Sequence, residues 1–161
     1  MNPYIERILS LLGEQDAITV LAETPMRLEK LSPVLAQRAG QSYAPGKWTS
    51  HKIICHLADV ELGYGFRLRQ VLAGITQIQP FDQDAWAKRY ANLPLPLALE
   101  AFKSMRAWNL ALFKSVSNDD LNKTVNHPER GPDPVPAVYA VTDDALVLPD
   151  LDEVVAALPG G

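Results

Sequence analysis

A single cysteine, Cys55, rules out an internal disulfide and suits a reducing compartment. Histidine is scarce as well, with three in the chain: His51, His56 and His127. No apolar run is long enough to span a bilayer. The opening MNPYIERILSLL carries Glu6 and Arg7 inside its apolar pattern, unlike a secretory leader. A basic stripe able to track a phosphate backbone is missing. So are a phosphate loop, a dinucleotide fingerprint and a Gly-x-Ser-x-Gly elbow. Positive charge is absent from one whole region: all 15 Lys and Arg precede Gly131, while six of the 19 acids follow it. These absences predict a cytoplasmic globular protein that engages neither nucleic acid nor membrane.

What is present reads as helix. Ile5, Ile8, Leu9 and Leu12 recur at helical spacing up to Gly13, and Ile18, Leu21 and Ala22 begin a second stretch. Thr24-Pro25 resembles an N-cap followed by a first helical residue, ahead of the stripe Leu28, Leu31 and Leu35. Pro25 either separates two helices or bends one. Pro45-Gly46 marks a turn, and Thr49 or Ser50 caps a long helix over roughly 50–73. That helix carries Ile53, Leu57, Val60, Tyr64, Leu68 and Val71 on one stripe, with Gly74 placed to end it. Asp82 caps a short helix, with Asp84 in its positive first turn. Leu97, Phe102, Met105, Leu110 and Phe113 predict a further long helix over about 95–115. Ser117 and Asp120 form a weak capping box for one more turn. The tryptophans Trp48, Trp86 and Trp108 are expected as core or helix-junction anchors.

The texture changes after Gly131. GPDPVPAVYAVTDDALVLPDLDEVVAALPGG holds five prolines in its 31 residues, and Pro132, Pro134 and Pro136 forbid a regular helix there. AVYAV reads as a short strand and DLDEVVAAL as a short terminal helix. The expected division is a helical bundle over 1–131 and an atypical acidic, proline-rich tail over 132–161. The tail is expected to be the least ordered part of the chain.

Among candidate functional residues His56 stands first. It lies beside the apolar stripe, one turn after Ile53 and one turn before Val60. Gly63 follows two turns along, where glycine costs about 1 kcal/mol relative to alanine. Gly63 and Gly65 therefore imply close packing or reserved space. A neutral imidazole facing a bundle interior suits zinc, nickel or iron, but a single ligand makes no site, and a satisfied core histidine is the commoner role. His51 lies about 140° from His56 around the helix, too far to chelate the same ion, and is expected on the surface of the first turn. Asp59 is expected to face water, Cys55 to be a buried small residue, and His127 to open a loop.

The segments PGKWTSHKIICHLADVE, FDQDAW and HPERGP, in this order, resemble the DinB-like (DinB/YfiT) family over roughly residues 14–132. The resemblance implies an all-α antiparallel four-helix bundle, commonly a homodimer, with a divalent metal at one end. It implies His56 as the first metal ligand, and two further histidines on the last long helix. It also implies a metal-dependent hydrolase or thiol transferase acting on a small-molecule or thiol substrate. Here no histidine follows His127, so the last helix is expected to be altered or missing and the metal site incomplete. A replaced end, such as a shifted reading frame would produce, accounts for that change. No catalytic residue is assigned. The competing class is a non-catalytic bundle serving as a binding or dimerisation module. An apolar groove left by the absent helix is expected to be covered by the tail or by a second chain.

Overall fold

The computed structural model describes residues 10, 12–127 and 131–134, with the backbone alone at 127 and 131–134. Three long helices, α1 (Ala17–Gln37), α2 (Ser50–Leu72) and α4 (Leu95–Lys114), form the body. Between the last two lie a short α3 (Gln83–Ala87) and a 3-10 turn (Tyr90–Asn92), and α5 (Asn118–Leu121) follows α4. A two-stranded antiparallel hairpin, β1 (Thr124–His127) and β2 (Gly131–Pro134), ends the described chain.

α1 shows how a helix tolerates prolines. It starts at Asp16, whose carboxylate accepts from the Thr19 amide at 2.8 Å, not at Thr24. Thr24 is buried inside the helix, where its hydroxyl donates to the Val20 carbonyl at 2.7 Å. The N-cap expected at Thr24 is thus corrected: Pro25 and Pro33 both lie within one continuous helix. Each proline removes the amide that would serve the carbonyl four residues back. The Leu21 carbonyl instead accepts from Arg106 Nη1 at 3.2 Å, and the Glu29 carbonyl from Ser32 Oγ at 2.8 Å. Side chains replace the lost donors.

α2 follows its sequence closely. Thr49 is the N-cap and accepts from the Lys52 amide at 3.3 Å. Gly46 takes φ +76° in the preceding turn. At the other end Gly74 takes φ +86°, and the Ile75 amide donates to the Gln70 carbonyl at 2.9 Å, a glycine-terminated helix stop. Leu57, Val60, Tyr64, Leu68 and Val71 are buried as the stripe predicted. Asp82 caps α3 and the Ser117–Asp120 capping box is complete.

Both α1 and α2 pack on α4 far more than on each other. One core cluster joins Leu28 and Leu35 of α1, Ile54 and Leu57 of α2, and Phe102 of α4. A second joins Leu21, Leu68, Val71 and Leu110 with Ile78 and Val125, and so fastens the hairpin to the bundle. The hairpin was missed in the sequence because its partner strand is GPDP. His127 therefore ends a strand, paired with Gly131, and does not open a loop. The amide of Asn126 donates to the Thr76 carbonyl at 2.8 Å, so β1 uses its other edge on the α2–α3 connection. With Asn126 turned that way, Pro132 opposite it presents its donor-free nitrogen outward. Pro134 repeats this, and prolines on a free edge discourage further strand pairing.

Two expectations about α4 need correction. Leu97 is 63% exposed and Trp108 is 69% exposed, so neither is a core anchor. Trp86 stacks on Phe81 with ring centroids 4.8 Å apart, and Trp48 does pack against the core. The expected first-helix stripe at Ile5 to Leu9, the altered last helix, the AVYAV strand and the terminal helix lie outside the described residues. No helix among the described residues is long and apolar enough to cross a membrane.

Candidate functional site

The turn at Pro45-Gly46 and the Thr49 cap carry Trp48 across the start of α2. Its ring meets the His56 ring edge-on, with centroids 5.0 Å apart at 81°. Trp48 also meets Tyr90 of the 3-10 turn edge-on, at 6.4 Å. His56 is 3% exposed, so it faces the bundle interior as its helical phase predicted. His51, about one and a half turns earlier, is tied down differently: its Nε2 lies 2.7 Å from the Leu93 carbonyl oxygen. That bond pins the start of α2 to the segment leading into α4 and engages one of the two ring nitrogens of His51. Cys55 is buried, and desolvation, with the charge of Asp59 adding to it, pushes its thiol up to about 11. At neutral pH such a thiol is protonated and a poor nucleophile.

The glycines answer the packing question. A Cβ on Gly63 would lie 3.1 Å from the Phe81 ring, and one on Gly65 would overlap the Asn109 side-chain amide. Both positions are filled by neighbours, so the space is packed and not reserved.

Behind Gly65 lies a polar cluster that the sequence reading did not name. Arg106 Nε donates to Glu61 Oε1 at 2.6 Å, with both side chains at most 3% exposed. Asn109 Nδ2 donates to the Glu61 carbonyl at 2.8 Å and to Glu61 Oε2 at 3.1 Å. Arg69 Nη1 donates to Asn109 Oδ1 at 2.8 Å and to the Gly65 carbonyl at 2.7 Å. Together with the Arg106–Leu21 bond, this cluster links α1, α2 and α4. A signal for it was available. Glu61 sits four residues after Leu57 on the buried stripe, and Arg106 sits midway between Phe102 and Leu110. Opposite charges on two apolar stripes are a pairing cue.

A groove of about 330 Å³ lies between α1 and α4, lined by Leu35, Ile54, Leu95 and Leu99, with Glu29 and Lys103 at its rim. Lys103 Nζ is 3.0 Å from Glu29 and 3.7 Å from Glu100. Ile54 and His56 point about 200° apart around α2, so the groove and the histidine occupy different sides of that helix.

Whether this chain can hold a divalent ion turns on its donors. Among the described residues no group of three or more His, Cys, Asp or Glu is placed to do so. His56 is inward, His51 is committed to Leu93, and Cys55 resists ionisation. The described donor set does not fit a metal ion.

A model of the DinB superfamily matches residues 19–142 of this chain. The match continues ten residues past Pro132, where the motifs had suggested that the likeness stops. A protein of Oceanobacillus iheyensis named "Putative metal-dependent hydrolase" is 33% identical over 92 residues, 56% of this chain and 54% of that protein. One of Bacillus cereus with the same name is 28% identical over 117 residues, 71% of this chain and 68% of its own length. The chain thus spans about half of the first relative and two thirds of the second. YfiT from Bacillus subtilis, described as "a probable metal-dependent hydrolase with an unusual four-helix bundle topology", superposes with a TM-score of 0.74. The superposition covers 88% of this chain and 81% of that one at 21% identity, a likeness of fold.

Proposed function

The chain belongs to the DinB superfamily, and from that premise we propose that it is a protein of the metal-dependent hydrolase type whose metal site is incomplete among the described residues. Support for the type comes from the names its relatives carry and from His56, an inward histidine on α2 where the family resemblance implies the first ligand. The observation that carries the second half of the reading is that, among the described residues, no group of three or more His, Cys, Asp or Glu is placed to hold an ion. A structural metal site takes four ligands and a catalytic one takes three with an open position; one imidazole holds an ion weakly. A zinc, nickel or iron centre here needs donors from residues beyond those described or from another chain. A thiol-transfer role would draw its thiol from the substrate, because Cys55 is buried and protonated.

Metal analysis tests this directly. Protein made without an affinity tag and purified without chelator should retain well under one equivalent of metal. It should bind added zinc or nickel no more tightly than a single histidine does. One ion per chain, lost on His56→Ala, would overturn the incomplete site and leave a competent metallohydrolase, with its remaining ligands outside the described residues. A second reading, a non-catalytic helical module, is favoured by the same donor count. It requires in addition that no esterase, amidase or thiol-transfer activity appears when metal is supplied in excess.

A further inference from the structure

The groove between α1 and α4 differs from end to end. Arg106 bonds to the Leu21 carbonyl and Lys103 to Glu29, so α4 runs antiparallel to α1. Starting from the Glu29–Lys103 contact, helical rise sets the other levels: Ser32 comes beside Glu100, Pro33 beside Leu99 and Ala36 beside Pro96. Buried Leu35 and Ile54 lie at the apolar end. The charged end and the apolar end are thus about 10 Å apart along the helix axes. The short side chains of Ser32, Pro33 and Ala36 do not reach across to α4, and the space of about 330 Å³ stays open. That volume falls in the range of small-molecule sites, which are mostly apolar with a few placed polar groups.

We propose that this groove binds an amphiphilic amine, a small molecule with an aliphatic body and a protonated ammonium head. Charge at the rim selects the head. Lys103 Nζ is 3.0 Å from Glu29 and 3.7 Å from Glu100, so two carboxylates share one ammonium and a negative charge is left over. Both carboxylate side chains are more than half exposed, at 60% and 68%, and are free to turn toward an incoming cation. A second ammonium beside Glu100 balances the set. A carboxylate head would instead bring a third acid to a single lysine. The chain's own end is the wrong sign as well: residues 135–161 hold five acids and no lysine or arginine. The length of the groove selects the body, because about 10 Å accommodates an extended chain of about eight carbons. Leu35, Ile54 and Leu99 would take that body out of water, while Glu100 and Glu29 hold the head at the mouth. Ile54 and His56 lie on different sides of α2, so success or failure here leaves the metal reading where it stands.

Calorimetric titration of the full chain with octylammonium chloride, at neutral pH and low salt, should give one equivalent bound per chain. Sodium octanoate, with the same body and the opposite head, should bind about tenfold more weakly or not at all. Shortening the amine should weaken binding by about two- to fourfold per methylene. Glu100→Lys reverses the net charge of the rim and should reverse the preference, to octanoate over octylammonium. Ala36→Phe puts a ring in the apolar end and should lower octylammonium affinity about tenfold. Both positions are exposed, and circular dichroism should show the helical signal unchanged. No uptake of octylammonium at about 10 mM overturns the proposal. So does equal binding of the two heads by the wild-type chain, or binding that a folded Ala36→Phe leaves intact. If Ala36→Phe does not fold, Glu100→Lys decides: an unchanged preference for the amine puts its head somewhere other than this rim and overturns the site. If neither folds, the contrast between the two heads and the methylene series on the wild-type chain decide.

Discussion

The first turns of α2 and its middle bury polar side chains in contrasting ways. Near the start, buried His56 meets the Trp48 ring edge-on, and Trp48 in turn meets Tyr90. One and a half turns on, Glu61 is enclosed by Arg106 and Asn109, and both its carboxylate oxygens accept hydrogen bonds. Both residues are almost without solvent exposure. Burial alone therefore does not separate a ligand from a structural polar group. The partner set does. A cluster in which acid, guanidinium and amide satisfy each other ties three helices together; His56, packed edge-on against Trp48, belongs to no group of three or more His, Cys, Asp or Glu able to hold an ion among the described residues.

The contrast can be broken most severely at Arg106. Arg106→Ala strands the Glu61 carboxylate and the Leu21 carbonyl that Pro25 deprives of its amide. It should cost about 3–5 kcal/mol in urea unfolding, the usual penalty for removing one partner of a buried pair. Replacing both members, Glu61→Leu with Arg106→Met, should recover most of that, falling short by about 1–3 kcal/mol for the unserved Leu21 carbonyl. A double variant as unstable as Arg106→Ala would show that the pair does more than neutralise itself.

Gly65→Ala comes next. Its methyl would overlap the Asn109 amide, which is held from both sides by Glu61 and Arg69, so the neighbour cannot yield easily. A loss of about 1–3 kcal/mol is expected, the range for overpacking. Gly63→Ala sharpens the comparison from within the same helix. There the contact is a ring atom of half-buried Phe81 at 3.1 Å, and a small ring shift relieves it. The helix-propensity gain of about 1 kcal/mol should offset the strain and leave stability within about 0.5 kcal/mol of wild type.

The smallest effect is expected at Cys55. With its thiol raised to about 11, iodoacetamide at pH 8 should leave the native protein unlabelled while labelling it in urea. The sign of the pH dependence follows. The unfolded thiol ionises near the ordinary value of 9.0 and the folded one near 11, so between those values the unfolded state binds fewer protons. Cys55 therefore contributes stability that is complete below about pH 9 and is lost as pH rises towards 11. Cys55→Ala should remove that slope from an unfolding series across the alkaline range.

The spans of α2 and α4, the caps at Thr49, Asp82 and Ser117, the stop at Gly74 and the inward face of His56 were all legible in the residue order. Each depends on neighbours within about four positions, and helical geometry repeats on that scale. The family also showed itself in three short motifs, although its ligand set did not follow. What escaped was whatever joins distant positions. Thr24-Pro25 has the local form of a helix start, yet the helix runs through it because Arg106, far along the chain, serves the carbonyl that the proline abandons. GPDP has no strand propensity and becomes a strand because β1 offers it a partner. Trp108 looked like a core residue by its size and is surface because Asn109, its neighbour, is the residue that α4 turns inward. Local spacing sets which residues share a face of a helix. Which face is buried, and against what, is settled when charged groups some 45 positions apart find partners that outweigh the cost of taking them out of water.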